Sequence, residues 1–222
     1  MNANRFLLIA LCIPLTAVAA AQHAAAPSPT APTADAVLAD LKAGNERHVA
    51  KKYEHPRQTE TRQHDLASGQ HPEATILACA DSRVPPEIVF DQGLGDLFVI
   101  RVAGNVAADD ELASIEYAAE HLNVPVVLVL GHQKCGAVTA AVEGGEAAGH
   151  LPSLIALIQP AVAKTKGAPG DPVANAVRAN VQLVVDQLRT SKPVLSPLVT
   201  AGKVKVVGGV YSLETGRVDW LK

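Results

Sequence analysis

Cysteine is scarce in this chain, with three among 222 residues, too few for a disulfide scaffold. A surplus of positive charge is also missing. Nineteen Lys and Arg face 22 Asp and Glu, a formal net charge of −3, which argues against a dedicated nucleic-acid binder. Aromatic residues make up only 3% and charged residues 18%, while 48% are hydrophobic. So high an apolar fraction with so small a net charge excludes a disordered chain. There is no internal repeat. There is no phosphate-binding loop either, because the pair Gly93 and Gly95 lacks a third glycine. What remains is a globular α/β or α+β domain, long enough for one sizeable core, of the kind found in enzymes and small-molecule binders.

The N-terminus reads as separate from that domain. Arg5 precedes an apolar run, Phe6 to Ala21, interrupted only by Pro14 and Thr16 and ending Ala19-Ala20-Ala21. A short positive region, an apolar stretch and a small-residue exit predict a secretory signal peptide over residues 1–21. A retained anchor would need about 20 apolar residues, and Pro14 stands mid-run, so no stable membrane anchor is expected after cleavage. Lipidation at Cys12 is disfavoured, since Leu11 stands where a small residue belongs. Cleavage removes Arg5 and Cys12, leaving a net charge of about −4. Residues 22–33 are rich in Ala, Pro, Ser and Thr and read as a flexible tether. A single catalytic domain is then expected over 34–222, periplasmic or secreted.

Within it, Ala34 to Lys52 carries apolar residues at helical spacing, with Asp35 in the first turn. Tyr53 to His71 is polar, and most of the histidines from His48 to His121 read as solvated. Four short apolar runs follow: Thr75–Ala78, Leu97–Val102, Val124–Leu130 and Val204–Val210. They suit strands buried on both faces, as in a parallel sheet. Helical stretches separate them at Asp109–Leu122, Leu151–Thr165 and Pro172–Thr190, the last with Asp171 as N-cap before proline. The alternation predicts an α/β fold, a mostly parallel central sheet flanked by helices. Tyr211 to Leu221 reads as a closing turn and strand, with the turn at Glu214-Thr215-Gly216.

Ligands in such sheets bind at the carboxyl ends of strands. The first expected strand runs into Cys79-Ala80-Asp81-Ser82-Arg83, and the third into Gly131-His132-Gln133-Lys134-Cys135-Gly136. Cys79, His132 and Cys135 offer two sulfurs and one imidazole, a zinc-type donor set. Three protein ligands leave a fourth position open, as catalytic zinc sites do. Gly131 and Gly136 are expected to let the backbone turn tightly around the metal. Arg83 can grip Asp81 with its planar fork and keep it ionised. A carboxylate so held beside a metal-activated water can take or orient its proton. Competing readings stand beside this one. The cysteine count alone favours a Cys79–Cys135 disulfide in a non-catalytic secreted domain, and Asp81 with Arg83 would serve as a plain loop-closing ion pair. A phosphatase-type nucleophile at Cys79 fails, because the position six residues on is Pro85.

The pair of motifs, Cys79-x-Asp81-x-Arg83 and His132-x-x-Cys135-Gly136, about 50 residues apart, resembles the β class of carbonic anhydrases from about Leu66 through Val142. That resemblance implies reversible hydration of carbon dioxide to bicarbonate and a proton, by attack of zinc-bound hydroxide, with one Zn2+ per subunit. It implies Asp81 and Arg83 as catalytic residues, Asp81 also serving as a fourth zinc ligand in a closed state. It implies that Gln70, nine residues before Cys79, binds substrate across a dimer interface. Phe98 and Tyr117 match apolar substrate-pocket positions, with core packing as their alternative role. A homodimer or higher homo-oligomer with interface active sites is therefore expected. There are departures: Ala80 replaces a serine, Val102 an asparagine, and Ile76 a tryptophan found in bicarbonate-inhibited members. The last places the chain closer to the plant-like subgroup. A hydrolase for carbon disulfide or carbonyl sulfide, with the same ligands, is the alternative within the fold.

Overall fold

Runs of β-branched and aliphatic residues pair side by side in the computed structural model of the protein, which describes residues 32–221. The expected signal peptide, and all of the expected tether except Pro32 and Thr33, lie outside the described residues. Strands β1 (Ala74–Ala78), β2 (Leu97–Arg101), β3 (Val126–His132) and β4 (Lys205–Tyr211) are parallel, and β5 (Val218–Trp220) runs antiparallel to β4. Their order is β2-β1-β3-β4-β5. The turn expected between Tyr211 and the last strand is present, with Gly216 in the left-handed region.

Side chains alternate between two cores. Leu77, Val127 and Val129 face one cluster, while Ile76, Ala78, Leu128 and Leu130 face the other, as the two-residue period of a strand requires. Helix α1 (Ala34–Ala50) and the short α3 (Pro86–Val89) cover the second face. Between them, α2 (Glu60–Leu66) has no buried residue. The first face is covered by α4 (Asp109–Glu120), α5 (Gly136–Glu143), α6 (Leu151–Thr165), α7 (Pro172–Thr190) and α8 (Leu195–Thr200). Helix α7 presents Ala176, Val177, Asn180, Val181, Val184, Val185 and Leu188 inward, a stripe at helical spacing. Burying each Val or Leu of that stripe stabilises the fold by about 1.5–3 kcal/mol. Asp171 caps α7, its Oδ1 accepting the Ala174 N–H at 2.7 Å. Thr33 caps α1 through Oγ1, which accepts from Ala36 N–H at 3.2 Å.

Several expectations change in detail. The third strand is shifted two residues onward from Val124–Leu130. Pro125 lacks an N–H, and Gly131 and His132 pair with Val210 and Tyr211, so His132 belongs to the strand. Strand β2 is only half-buried, because it forms a sheet edge. His48 is buried, its ring nitrogens 2.9 Å from the Tyr53 hydroxyl and 3.0 Å from that of Tyr211. Helices α2, α3, α5 and α8 lie outside the expected helical stretches. Helix α2 is polar apart from Leu66, and α5 begins immediately after Cys135 in small residues with little periodicity. Gly131 is not a turn glycine. It lies inside β3, where a Cβ would stand 2.5 Å from Val181 Cγ2, so its lack of a side chain lets α7 pack onto the sheet. Gly136 opens α5, and the left-handed residue of this loop is Lys134 (φ 55). Among the described residues, no helix is long and apolar enough to cross a membrane.

Candidate metal centre

Strands β1 and β3 are neighbours, with Ala78 opposite Leu130, so both end on the same edge of the sheet. Cys79 follows β1 directly and His132 is the last residue of β3. The chain then turns through Lys134 and presents Cys135 as the residue before α5, where the Cys135 carbonyl accepts from Thr139 N–H and Oγ1. One ligand atom from each of Cys79, His132 and Cys135 lies within 4.8 Å of the other two. All three side chains are buried.

The imidazole is oriented for ligation. His132 Nδ1 is 2.9 Å from the carbonyl of Gln133. A carbonyl can only accept, so Nδ1 carries the hydrogen and Nε2 presents its lone pair. That Nε2 is buried with no hydrogen-bond partner, a costly state for a polar atom unless it holds a metal. The cysteines are both free, with the sulfurs 4.0 Å apart. The expected alternative of a Cys79–Cys135 disulfide is therefore not what the chain forms here. The Cys135 thiol, then the N–H groups of Gly104 and Asp81, stabilise a thiolate at Cys79 against the cost of burial and pull its pKa down. Cys135, beside that charge, is pushed up. Two soft sulfurs and one imidazole, buried and converging, fit a zinc ion.

Asp81 stands at the open side. Its Oδ2 lies 3.8 Å from His132 Nε2. Arg83 donates Nε to Oδ1 at 2.9 Å and Nη2 to Oδ2 at 2.7 Å, and its backbone N–H adds a third bond at 2.9 Å. These bonds, the guanidinium's first, hold the carboxyl well below the usual carboxylate range. Arg83 thus engages both oxygens of Asp81.

Arg101, which lies outside both ligand motifs, organises this loop. It ends β2 opposite Ala78. Its Nε donates to the Cys79 carbonyl at 3.0 Å and its Nη2 to the Asp81 carbonyl. The only signal in the sequence is an arginine closing an apolar run. Val102 exchanges backbone bonds with Ala78 and Ala80 while its side chain packs against the first core, and Ile76 is fully buried core.

The other expected substrate residues are not brought to the metal ligands of their own chain. Gln70 is exposed and precedes β1, whereas Cys79 follows that strand. Phe98 pairs in register with Thr75, near the start of β1. Tyr117 on α4 is 46% exposed and lies 6.2 Å from Phe98 between ring centroids.

Three converging metal-type ligands with an ionised carboxylate beside them, at the carboxyl edge of a parallel sheet, make a metalloenzyme site. The carbonic anhydrase family profile matches residues 74–218. Carbonic anhydrase 2 of Mycobacterium tuberculosis is 41% identical over 181 residues, covering 80% of this chain and 87% of that protein. The carbonic anhydrase of Mycolicibacterium smegmatis is 39% identical, covering 81% and 89%. Among solved structures, the Coccomyxa β-carbonic anhydrase in complex with acetazolamide superposes with a TM-score of 0.66 at 30% identity, covering 86% of this chain and 87% of that one. The chain belongs to the β class of the carbonic anhydrase family.

Proposed function

We propose that this protein is a zinc enzyme that reversibly hydrates carbon dioxide to bicarbonate and a proton. The observation that carries this reading is the buried, partnerless Nε2 of His132 converging with two free cysteine sulfurs beside an ionised Asp81. Cys79, His132 and Cys135 would hold one zinc ion per subunit. Bound there, zinc supplies a nucleophile from water near neutral pH.

The chain's own residues do the rest. Asp81 accepts a hydrogen bond from the attacking water and so aims its lone pair at the carbon. Arg83 keeps that carboxylate ionised and stops it turning. Arg101 fixes the spacing of Cys79 and Asp81 through their carbonyls. The Gln133 carbonyl keeps the imidazole in its ligating tautomer. Stopped-flow hydration by the zinc-loaded protein should exceed the buffer rate by orders of magnitude, and a rate equal to buffer overturns the reading.

The same proposal includes a homodimer or larger homo-oligomer. Phe98 lies in register with Thr75 near the start of β1, with Tyr117 beside it, away from the metal ligands of their own chain; together with Gln70 they would serve a site on another copy. Co-expressing Gln70→Ala with Asp81→Asn tests this: hybrid assemblies regain activity if sites are shared, and not otherwise. Export follows from the sequence of residues 1–21, and N-terminal sequencing of the protein isolated from its host decides whether that segment is removed. The apolar Ile76 supports the plant-like subgroup, for which activity should not show cooperative inhibition by bicarbonate.

A further inference from the structure

Behind Cys79 lies a buried polar relay that the chemistry above does not use. Asn180 is 1% exposed in the otherwise apolar inner stripe of α7. Its Nδ2 donates to the Gly104 carbonyl at 2.8 Å. The N–H of that same glycine donates to Cys79 Sγ at 3.3 Å. Gly104 is in the left-handed region (φ 73, ψ 11), where side chains are disfavoured, and a Cβ there would meet Ile158 Cδ1 at 2.8 Å.

Glycine is the residue least able to hold its own conformation. For the Gly104 N–H to keep aim at a sulfur, something must pin the residue from its other side, and Asn180 does so. Stability alone gives a poor account of this asparagine. Its Oδ1 is buried without a partner, so the side chain carries a desolvation cost that a leucine would avoid.

We infer that Asn180 is a positioning residue of the metal centre: acting through Gly104, it holds the N–H that hydrogen-bonds the Cys79 sulfur and so governs how firmly that ligand holds its metal. The inference rests on the zinc reading above. Groups that hydrogen-bond to metal ligands commonly change metal retention by 10–100-fold when removed. The relay should fall near the lower end, because Asn180 acts one residue removed from the ligand.

The test uses the full-length protein loaded with zinc or with cadmium-113. In the wild type, the Gly104 amide proton should show scalar coupling to cadmium through the N–H···S bond. Asn180→Leu and Asn180→Asp, which lack the donor, should lose that coupling and surrender zinc to a chelator about tenfold faster. Gln187→Leu is the control. Gln187 makes a similar bond from the same helix, to the Ala107 carbonyl at 2.9 Å, without reaching Cys79. It should keep both the coupling and the zinc. A metal-loaded wild type with no coupling at Gly104 overturns the inference without mutagenesis, so a variant that fails to fold does not shelter it. Equal zinc release from Gln187→Leu and the Asn180 variants overturns it too. A wild type that takes up neither metal defeats the zinc reading instead.

Discussion

Gly131 offers the sharpest test of how the sheet and α7 position the metal ligands. A Cβ added at Gly131 would lie 2.5 Å from Val181 Cγ2, where ordinary contact begins at 3.4 Å. Val181 is fully buried and cannot swing into solvent. In Gly131→Ala, therefore, α7 or β3 must move by most of an ångström, next to His132. Overpacking of this kind costs about 2 kcal/mol. Val181→Ala alone removes two buried methyl groups and costs roughly 2 kcal/mol through lost burial and the cavity. In the double variant the new methyl occupies the space that Val181 vacates. Its total loss should then be about 2 kcal/mol rather than the additive ~4 kcal/mol, a coupling of about 2 kcal/mol. Urea unfolding of the four proteins, each zinc-loaded, reads this directly. If Gly131 were needed for a tight turn, trimming Val181 would rescue nothing. Additive losses would refute the packing account.

Three further outcomes follow from the site and its surroundings. Cys79→Ser and Cys135→Ser should lose zinc by metal analysis, whereas Asp81→Asn should retain zinc and lose most hydration activity; zinc loss in Asp81→Asn would place that residue in the ligand set. Chelation of the zinc protein should release two thiols to a thiol reagent, and none if the cysteines are bonded. His48 is shifted below its ordinary 6.5, chiefly by burial, so the unfolded chain takes up its proton first. Its contribution to stability is present above pH 6.5 and is lost as pH falls from there through the lower folded value. Melting temperature against pH should therefore fall less steeply below 6.5 in His48→Gln than in the wild type, and parallel curves count against this.

Part of this molecule is legible from local pattern. Leu151–Thr165 and Pro172–Thr190 are helices over the expected spans, because apolar spacing and the Asp171-Pro172 start are properties of contiguous residues. The β1 and β2 runs are strands to within a residue for the same reason. Helix α2 was missed because none of its residues is buried, so it leaves no apolar period to read. Most of the histidines from His48 to His121 are exposed as expected; His48 is the buried exception, because its partners Tyr53 and Tyr211 include one 163 residues away.

The sequence by itself determined the donor set, since Cys79, His132 and Cys135 are soft or borderline ligands at the ends of apolar runs. It also determined the Asp81–Arg83 pair, whose members are two residues apart and can close on each other in any loop. Only the tertiary structure decided that Arg101 clamps the carbonyls of Cys79 and Asp81, that Gly131 makes room for Val181, and that Asn180 stands behind Gly104. It also decided that Phe98 and Tyr117 lie near the start of β1, away from their own chain's ligands. The physical reason is the same in each case. Strand register and helix docking set these contacts, and both are fixed by how distant segments fill one another's space.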